Sequence, residues 1–424
     1  MTNGRLTPIF QVMDSVYHAR LLEKVVLDAF DHFPIVVLLG ARQVGKSTLV
    51  GHLFGNQLKT LVFDPVQDIG QARSDPDLFL KNNPAPLFLD EVQYAPELLS
   101  AIKRAVDLDG TVGRFVLSGS QNLALVKGVA ESLAGRAAII RLPPMSRAEL
   151  ARNIEDDFLG DWVRGKIPAV ERNGNLKTIP AWYPAIWRGG YPKLITLPDR
   201  LVGTFFESYV TTVVERDIRT VAGVGDLQLF GRFFGLLGGL SGCEINAAQL
   251  GRDLGLDRKT ALQWLSIAEA TYQWLEIPAF TRNAIKRVSG RHKGYLTDSG
   301  LACWHQRIPT PDAIAGHPLQ GSLIETWVVN EIIKRSRAWP VSPNFYHYRS
   351  HGGAEVDLIL EWSGTLYPIE IKAKSHPRAE DGRGIEAFRN SFPHENIAPG
   401  LVVSAVDAPA WLTKTLYAVP WWRI

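Results

Sequence analysis

Cysteine is nearly absent. Cys243 and Cys303 are the only two in 424 residues, too few for a disulfide framework or a thiolate zinc site. Long apolar runs are missing as well. The strongest near the N-terminus, residues 34–39, is far shorter than the roughly 20 residues a spanning helix needs. The first thirty residues carry Asp14, Glu23 and Asp28 and no signal-peptide core, a pattern at odds with secretion. These absences predict a cytoplasmic protein with no membrane partner. Nor is there an excess of one charge: Lys plus Arg is 46, Asp plus Glu is 43, and the net is +3. Any basic surface for nucleic acid must therefore be local. With 46% hydrophobic and 21% charged residues, the chain is neither disordered nor a coiled coil. At roughly 150 residues per domain, the length predicts about three domains.

Up to residue 145 short apolar runs alternate with helical patterns. Strands are expected at 35–39, 60–63, 87–89, 114–117 and 138–142, with amphipathic stretches such as 47–54 and 97–106 between them. Alternation of this kind predicts an α/β fold on a parallel sheet. Pro143 and Pro144 close the block. Residues 146–240 are mostly helical and read as a lid or linker region. Residues 241–314 read as a winged helix-turn-helix, and 315–424 as a C-terminal α/β domain.

The first block contains Gly40-Ala41-Arg42-Gln43-Val44-Gly45-Lys46-Ser47-Thr48, which fits GxxxxGK[ST] without a mismatch. A strand runs into it and a helix leaves it, so backbone N–H groups can face phosphate oxygens. Lys46 can reach the β- and γ-phosphates, and the Ser47 hydroxyl can coordinate Mg²⁺. Downstream, Leu87-Phe88-Leu89 ends in Asp90-Glu91, at the strand end where open parallel sheets bind ligands. Asp90 is expected to hold Mg²⁺ through water, and Glu91 to polarise the attacking water. Residues 60–63 fall between the loop and this acidic pair, the pattern of P-loop ATPases with an inserted strand and a catalytic Glu. ATP and Mg²⁺ are thus the expected cofactors, with Lys46 and Glu91 in catalytic roles. Ser118 and Ser120 end another strand and either sense the γ-phosphate or satisfy a turn. Arg136 is either an arginine finger given to a neighbouring subunit of a homo-oligomer or one half of a surface ion pair.

In the middle block, residues 245–254 and 258–270 read as two helices around Gly255-Leu256-Asp257, with Asp257 as N-cap. That is helix–turn–helix spacing. Ala261, Leu262, Leu265 and Ala268 are expected to face inward. Between Ile277 and Thr297 there is no acid, but there are five bases: Arg282, Lys286, Arg287, Arg291 and Lys293. A wing tracking a phosphate backbone fits this, with Arg258 and Lys259 opening a recognition helix and DNA as partner. A packing surface with solvated charges is the other reading.

In the tail, Ser363-Gly364 sits between two strand-like runs, 355–361 and 365–372. As a two-residue hairpin it sets Asp357 opposite Glu370, with Lys372 on the same face. An acid facing acid-x-Lys resembles the core of the PD-(D/E)XK nuclease superfamily. That resemblance implies Mg²⁺ on Asp357 and Glu370, Glu325 as a further member from the preceding helix, and Lys372 orienting water. The same register sets Glu355 opposite Lys372, which is also what a surface charge ladder would show. Pro368, which lacks a donor, could instead force a bulge and shift the pairing.

Taken together the chain resembles the prokaryotic AAA+-type ATPases that carry a C-terminal domain of unknown function. The matching pieces are Gly40–Ser47, Leu89-Asp90-Glu91-Val92-Gln93, Leu117-Ser118-Gly119-Ser120, Leu133-Ala134-Gly135-Arg136 and Gly189-Gly190-Tyr191-Pro192. Later come Glu215-Arg216-Asp217, Tyr295-Leu296-Thr297-Asp298-Ser299-Gly300, and Asp357 with Glu370-Ile371-Lys372. Ser118 stands where the family leads one to expect Thr, and the hydroxyl is kept. The resemblance implies an ATP-binding protein and names no process. Two readings of function follow. In the first, an ATPase couples nucleotide state to engagement of nucleic acid by its C-terminal half. In the second, a nucleotide-gated protein-binding switch carries an inactive nuclease-like domain.

Overall fold

The structure is a computed structural model that describes residues 17–63, 70–120, 133–166, 179–218, 224–283 and 290–424. Lys286 and Arg287 lie outside the described residues. Among the described residues no helix is long and apolar enough to cross a membrane.

The first sheet holds β1 (Ile35–Leu39), β2 (Lys59–Val62), β3 (Leu87–Asp90), β4 (Phe115–Gly119) and β5 (Ala137–Arg141). All neighbours are parallel, in the order β2-β3-β4-β1-β5. Every residue of β1 is buried, as its unbroken Ile-Val-Val-Leu-Leu requires of a strand covered on both faces. Ile35, Val37 and Leu39 pack on the side of helix Leu98–Leu108, while Val36 and Leu38 face helices Glu23–His32 and Lys46–Phe54. The strand separating β1 from β3 is β4. The 60–63 candidate forms the edge strand β2 instead. Chain order alone does not set neighbour order in a parallel sheet, because each crossover helix can pass over an intervening strand.

From Ser146 onward short helices wrap the core. Helix Val202–Thr212 runs on into a π-helical turn, Val213–Ile218. The segment is not an independent unit. One apolar cluster extends from Leu22 through Trp162 and Trp182 to Trp421 and Ile424. Within it Trp182 stacks on Trp421 and Trp162 on Tyr417.

Next come helix Leu227–Leu240, β6 (Cys243–Glu244), helices Ala247–Leu254 and Arg258–Ala270, β7 (Trp274–Ile277) and β8 (Lys293–Leu296). The two helices meet at Gly255, which takes the left-handed φ of 71° that glycine adopts at low cost. The Asp257 carboxylate caps the second helix through Thr260 N–H at 2.8 Å. The small antiparallel sheet has the order β6-β8-β7. One inward residue was misplaced by the sequence reading: Leu262 is 42% exposed, and Trp264 takes the buried position. Residues 261, 264, 265 and 268 share one helical stripe, and 262 falls beside it.

The tail is a separate mixed sheet, β13-β14-β12-β11-β10-β9. Its strands are β9 (Asn344–Arg349), β10 (Glu355–Trp362), β11 (Thr365–Ile371), β12 (Gly400–Ser404), β13 (Ala410–Thr413) and β14 (Leu416–Pro420). Helices Gln320–Ser336 and Arg383–Ser391 pack against it. The β10–β11 hairpin pairs Leu358 with Ile369 and Trp362 with Thr365. Ser363 and Gly364 both have positive φ, 50° and 76°, which suits a tight hairpin turn. Pro368 pairs with Ile359 inside the ladder. The register shift occurs instead on the other side of β10, between Val356 and Ile359 against β9.

Candidate functional site

The loop after β1 closes on itself. A Cβ on Gly40 would come within 2.2 Å of Leu142 O, so only glycine fits there. Gln43 and Gly45 take φ of 60° and 94°, which turns successive amides into the concavity. Lys46 is 5% exposed, and its Nζ donates to Gly40 O and Ala41 O, both at 2.9 Å. Burial lowers its pKa, while Glu91 and Asp90 work the other way. Ser47 Oγ donates to Asp90 Oδ2 at 2.6 Å. Gln43, Lys46, Ser47, Thr48, Glu91 and Pro192 line a cleft of about 240 Å³ over the loop.

The neighbouring strand completes the acidic end. Leu89 pairs with Leu117, which brings Ser118 beside Asp90. Ser118 Oγ donates to Asp90 Oδ1 and accepts from Glu91 N–H at 3.2 Å. Ser120 Oγ donates to Glu91 Oε2 at 3.3 Å and accepts from the Gln93 amide at 3.1 Å. The Gln93 amide also donates to the Glu91 carboxylate. The two serines therefore orient Asp90 and Glu91. Glu91 itself sits at φ 58°, a strained position for a non-glycine residue and common where geometry serves a site. Ser47 and Asp90 are an all-oxygen pair of the kind Mg²⁺ takes.

Arg20 and Glu149 escaped the sequence reading, as did the pairing of Arg42 with Asp217. Arg20, 4% exposed, donates to Val44 O at 2.8 Å and Pro143 O at 2.7 Å. It also pairs with buried Glu149 at 3.0 Å. Arg42 donates to both carboxylate oxygens of Asp217, at 2.7 and 2.8 Å, and to Tyr94 Oη at 3.0 Å. The Gly189–Pro192 and Tyr295–Gly300 motifs prove to be packing partners. Asp298 accepts from Gly190 N–H at 2.7 Å while capping its own helix through Leu301 N–H. Pro192 thereby reaches the cleft.

Arg136 lies away from this site. It precedes β5 at the sheet end opposite the loop, since Ile35 pairs with Ala137. It makes a 2.5 Å ion pair with Asp107, both side chains partly exposed. A finger role for Arg136 would thus concern only a second copy of the chain.

The basic wing departs most from expectation. Arg258 and Lys259 are exposed, but Arg282 pairs with Glu395 at 2.8 Å and Arg291 with Glu244 at 3.7 Å. Ala279 bridges to His347 of β9, and Phe280 packs on Tyr346, Phe388 and Phe392. Lys293 is not a surface cation at all. Its side chain is 4% exposed, and its Nζ lies 2.6 Å from Glu325, 3.6 Å from Glu355 and 3.8 Å from Asp357. The wing docks on the tail because the tail supplies both an apolar socket and the acids.

That docking bears on the expected metal set. Asp357 and Glu370 are neighbours, and burial with the Asp357 charge holds the Glu370 carboxyl well above the usual range. Lys372 Nζ donates to Glu370 at 2.9 Å, and Asp357 Oδ2 accepts from Ile371 N–H at 2.8 Å. Glu325 accepts from Tyr295 Oη at 2.6 Å. Among the described residues no group of three or more metal-ligating side chains converges. Glu325, Asp357 and Glu370 are instead divided between two ammonium groups, Lys293 and Lys372.

Three family models match successive parts of the chain. Residues 32–151 match a family model described as an AAA domain. Residues 180–312 and 320–424 match two models described as domains of unknown function, DUF8612 and DUF4143. Uncharacterized proteins of Mycobacterium tuberculosis (Rv2008c) and Mycobacterium bovis (Mb2031c) are each 28% identical over 397 residues. The match takes in 92% of this chain and 81% of theirs. Among solved structures, the Walker-type ATPase PABY2304 of Pyrococcus abyssi aligns with 67% of this chain and 94% of its own, at 15% identity and a TM-score of 0.40. The RuvB Holliday junction branch migration motor of Thermotoga maritima aligns with 63% and 92%, at 16% identity and a TM-score of 0.29. Residues 32–151, which match the AAA-domain model, carry the glycine loop and the acidic strand end on a parallel sheet of the P-loop NTPase fold, and a separate mixed-sheet domain lies toward the C-terminus.

Proposed function

We propose that the chain is a Mg²⁺-dependent ATPase whose nucleotide state is coupled to its C-terminal half. One observation carries this: Ser47 from the loop and Ser118 from β4 both bond Asp90, with Glu91 beside it facing the same cleft. The loop amides and Lys46 would bind the phosphates, Lys46 exchanging its bonds to Gly40 and Ala41 for phosphate oxygens. Glu91 would orient water toward the γ-phosphorus, with Ser120 and Gln93 holding its carboxylate. Mg²⁺, held by Ser47 and through water by Asp90, would offset charge on the β- and γ-phosphates. Lys46→Ala should abolish hydrolysis and weaken nucleotide binding, read with a fluorescent ATP analogue and a phosphate-release assay. Undiminished turnover would refute the assignment.

For the C-terminal half, the exposed Arg258 and Lys259 support contact with nucleic acid. The second reading, a protein-binding switch with an inactive nuclease-like tail, is favoured by Lys293 among Glu325, Glu355 and Asp357. An ammonium there supplies the charge that a metal would bring. Electrophoresis of DNA with the protein and a non-hydrolysable ATP analogue separates the two. A shift lost in Arg258→Ala/Lys259→Ala supports the first, and no shift at low salt supports the second.

A further inference from the structure

Asp217 is a buried acid beside the nucleotide cleft, at 2% exposure. It comes from the π-helical turn Val213–Ile218, a conformation that often marks functional positions because the extra residue redirects side chains. Its partner Arg42 is the third residue of the phosphate loop, 175 positions away. The Arg42 guanidinium also reaches Tyr94 Oη at 3.0 Å, and Tyr94 closes the single turn that starts at Glu91. One cation thus touches the loop, the turn carrying Glu91 and the helix that leaves the core. Burial opposes the Arg42 charge. Asp217 first, and the Glu91 carboxylate after it, more than restore that charge.

Glu91 opens the short turn that Arg42 touches through Tyr94, so it is the acid to which Arg42 would turn if Asp217 were neutral. An arginine fork on a carboxylate is a strong, two-bond contact. It would hold the Glu91 carboxylate away from water. Nucleotide binding, which rests on the loop amides and Lys46, would be affected much less. We propose that Asp217 is a positioning residue for hydrolysis: by holding Arg42, it keeps the guanidinium off Glu91 and leaves that carboxylate open to water. The proposal rests on the ATPase reading above.

The experiment uses the full chain and three proteins: wild type, Asp217→Asn, and Asp217→Asn/Arg42→Met. Affinity for a fluorescent ATP analogue and steady-state phosphate release are measured on each, with melting temperatures to compare folding. Asp217→Asn should keep its affinity within about threefold and lose at least about tenfold in kcat, the signature of an interaction acting on the chemical step. Removing the guanidinium as well should restore most of that loss. A purely structural role for Asp217 gives no such recovery. Asp217→Asn turning over at the wild-type rate, or a double variant no faster than the single one, overturns the proposal. If Asp217→Asn does not fold, the double variant carries the test, because no buried charge is left unpaired in it. Turnover within about tenfold of wild type is then expected, and turnover as low as that of Glu91→Gln overturns the idea. Wild-type protein that binds no nucleotide would instead sink the ATPase reading, which the affinity measurement shows separately.

Discussion

Replacing Lys293 by methionine is expected to destabilise the protein by about 3–5 kcal/mol near pH 8, the usual cost of removing one partner from a buried charge group. The side chain is 4% exposed and its ammonium faces Glu325, Glu355 and Asp357. Methionine fills a similar volume, so the loss reads the charge and not a cavity. Without the cation the carboxylates repel one another in a poorly solvated site. The loss should depend on pH. Burial first, and the Asp357 charge next, push the Glu325 pKa up to about 7. A carboxyl that binds its proton more tightly when folded favours the fold at low pH, and that contribution disappears as pH rises through about 7. At pH 5 Glu325 is protonated with or without Lys293, so one of the repelling charges is gone. Urea unfolding of both proteins at pH 8 and pH 5 should show a clearly smaller difference at pH 5. Equal losses at the two pH values, or a loss below about 1 kcal/mol at pH 8, would mean that Lys293 does not serve as the counter-ion.

Glu91→Gln is expected to bind ATP as wild type does and to turn it over at least about a hundredfold more slowly. Glutamine has the same shape, and its carbonyl oxygen can still accept from Ser120 and Gln93, which hold Glu91 in the parent protein. Ser47 and Asp90 remain bonded to each other, so the side of the cleft proposed to hold Mg²⁺ is unchanged. What disappears is the negative charge that draws a proton from water. Single-turnover hydrolysis with prebound ATP isolates that step. An unchanged rate would mean that another group positions the water.

The glycine loop was legible because its geometry is local. Gly40 to Ser47 is one turn between a strand and a helix, and both flanking elements declare themselves in contiguous residues. The hairpin was legible for the same reason: Ser363-Gly364 sets the turn, and the period of two then places Asp357 and Glu370. The wing shows the opposite case. Arg282, Arg291 and Lys293 form a run of bases without a nearby acid in sequence. Their partners Glu395, Glu244 and Glu325 come from the tail and from β6. Charge counting along the chain cannot see a partner brought by folding. Leu262 failed on a smaller scale, since a helical stripe is narrow and one step in sequence turns a side chain by about 100°.

By itself the sequence determined the elements whose cause is nearest-neighbour chemistry. These are the parallel-sheet strands, the glycine loop with Lys46 and Ser47, the Asp90-Glu91 strand end and the Gly255 turn between the two middle helices. Only the tertiary structure decided that β4 stands between β1 and β3, and so that Ser118 bonds Asp90. It alone decided that Asp217 holds Arg42 across 175 positions and that Lys293 stands among the tail's acids. The physical reason is the same each time. Backbone conformation answers to adjacent residues, whereas the partner of a buried charge is whichever opposite charge the packed core brings within reach, and burial makes that pairing compulsory.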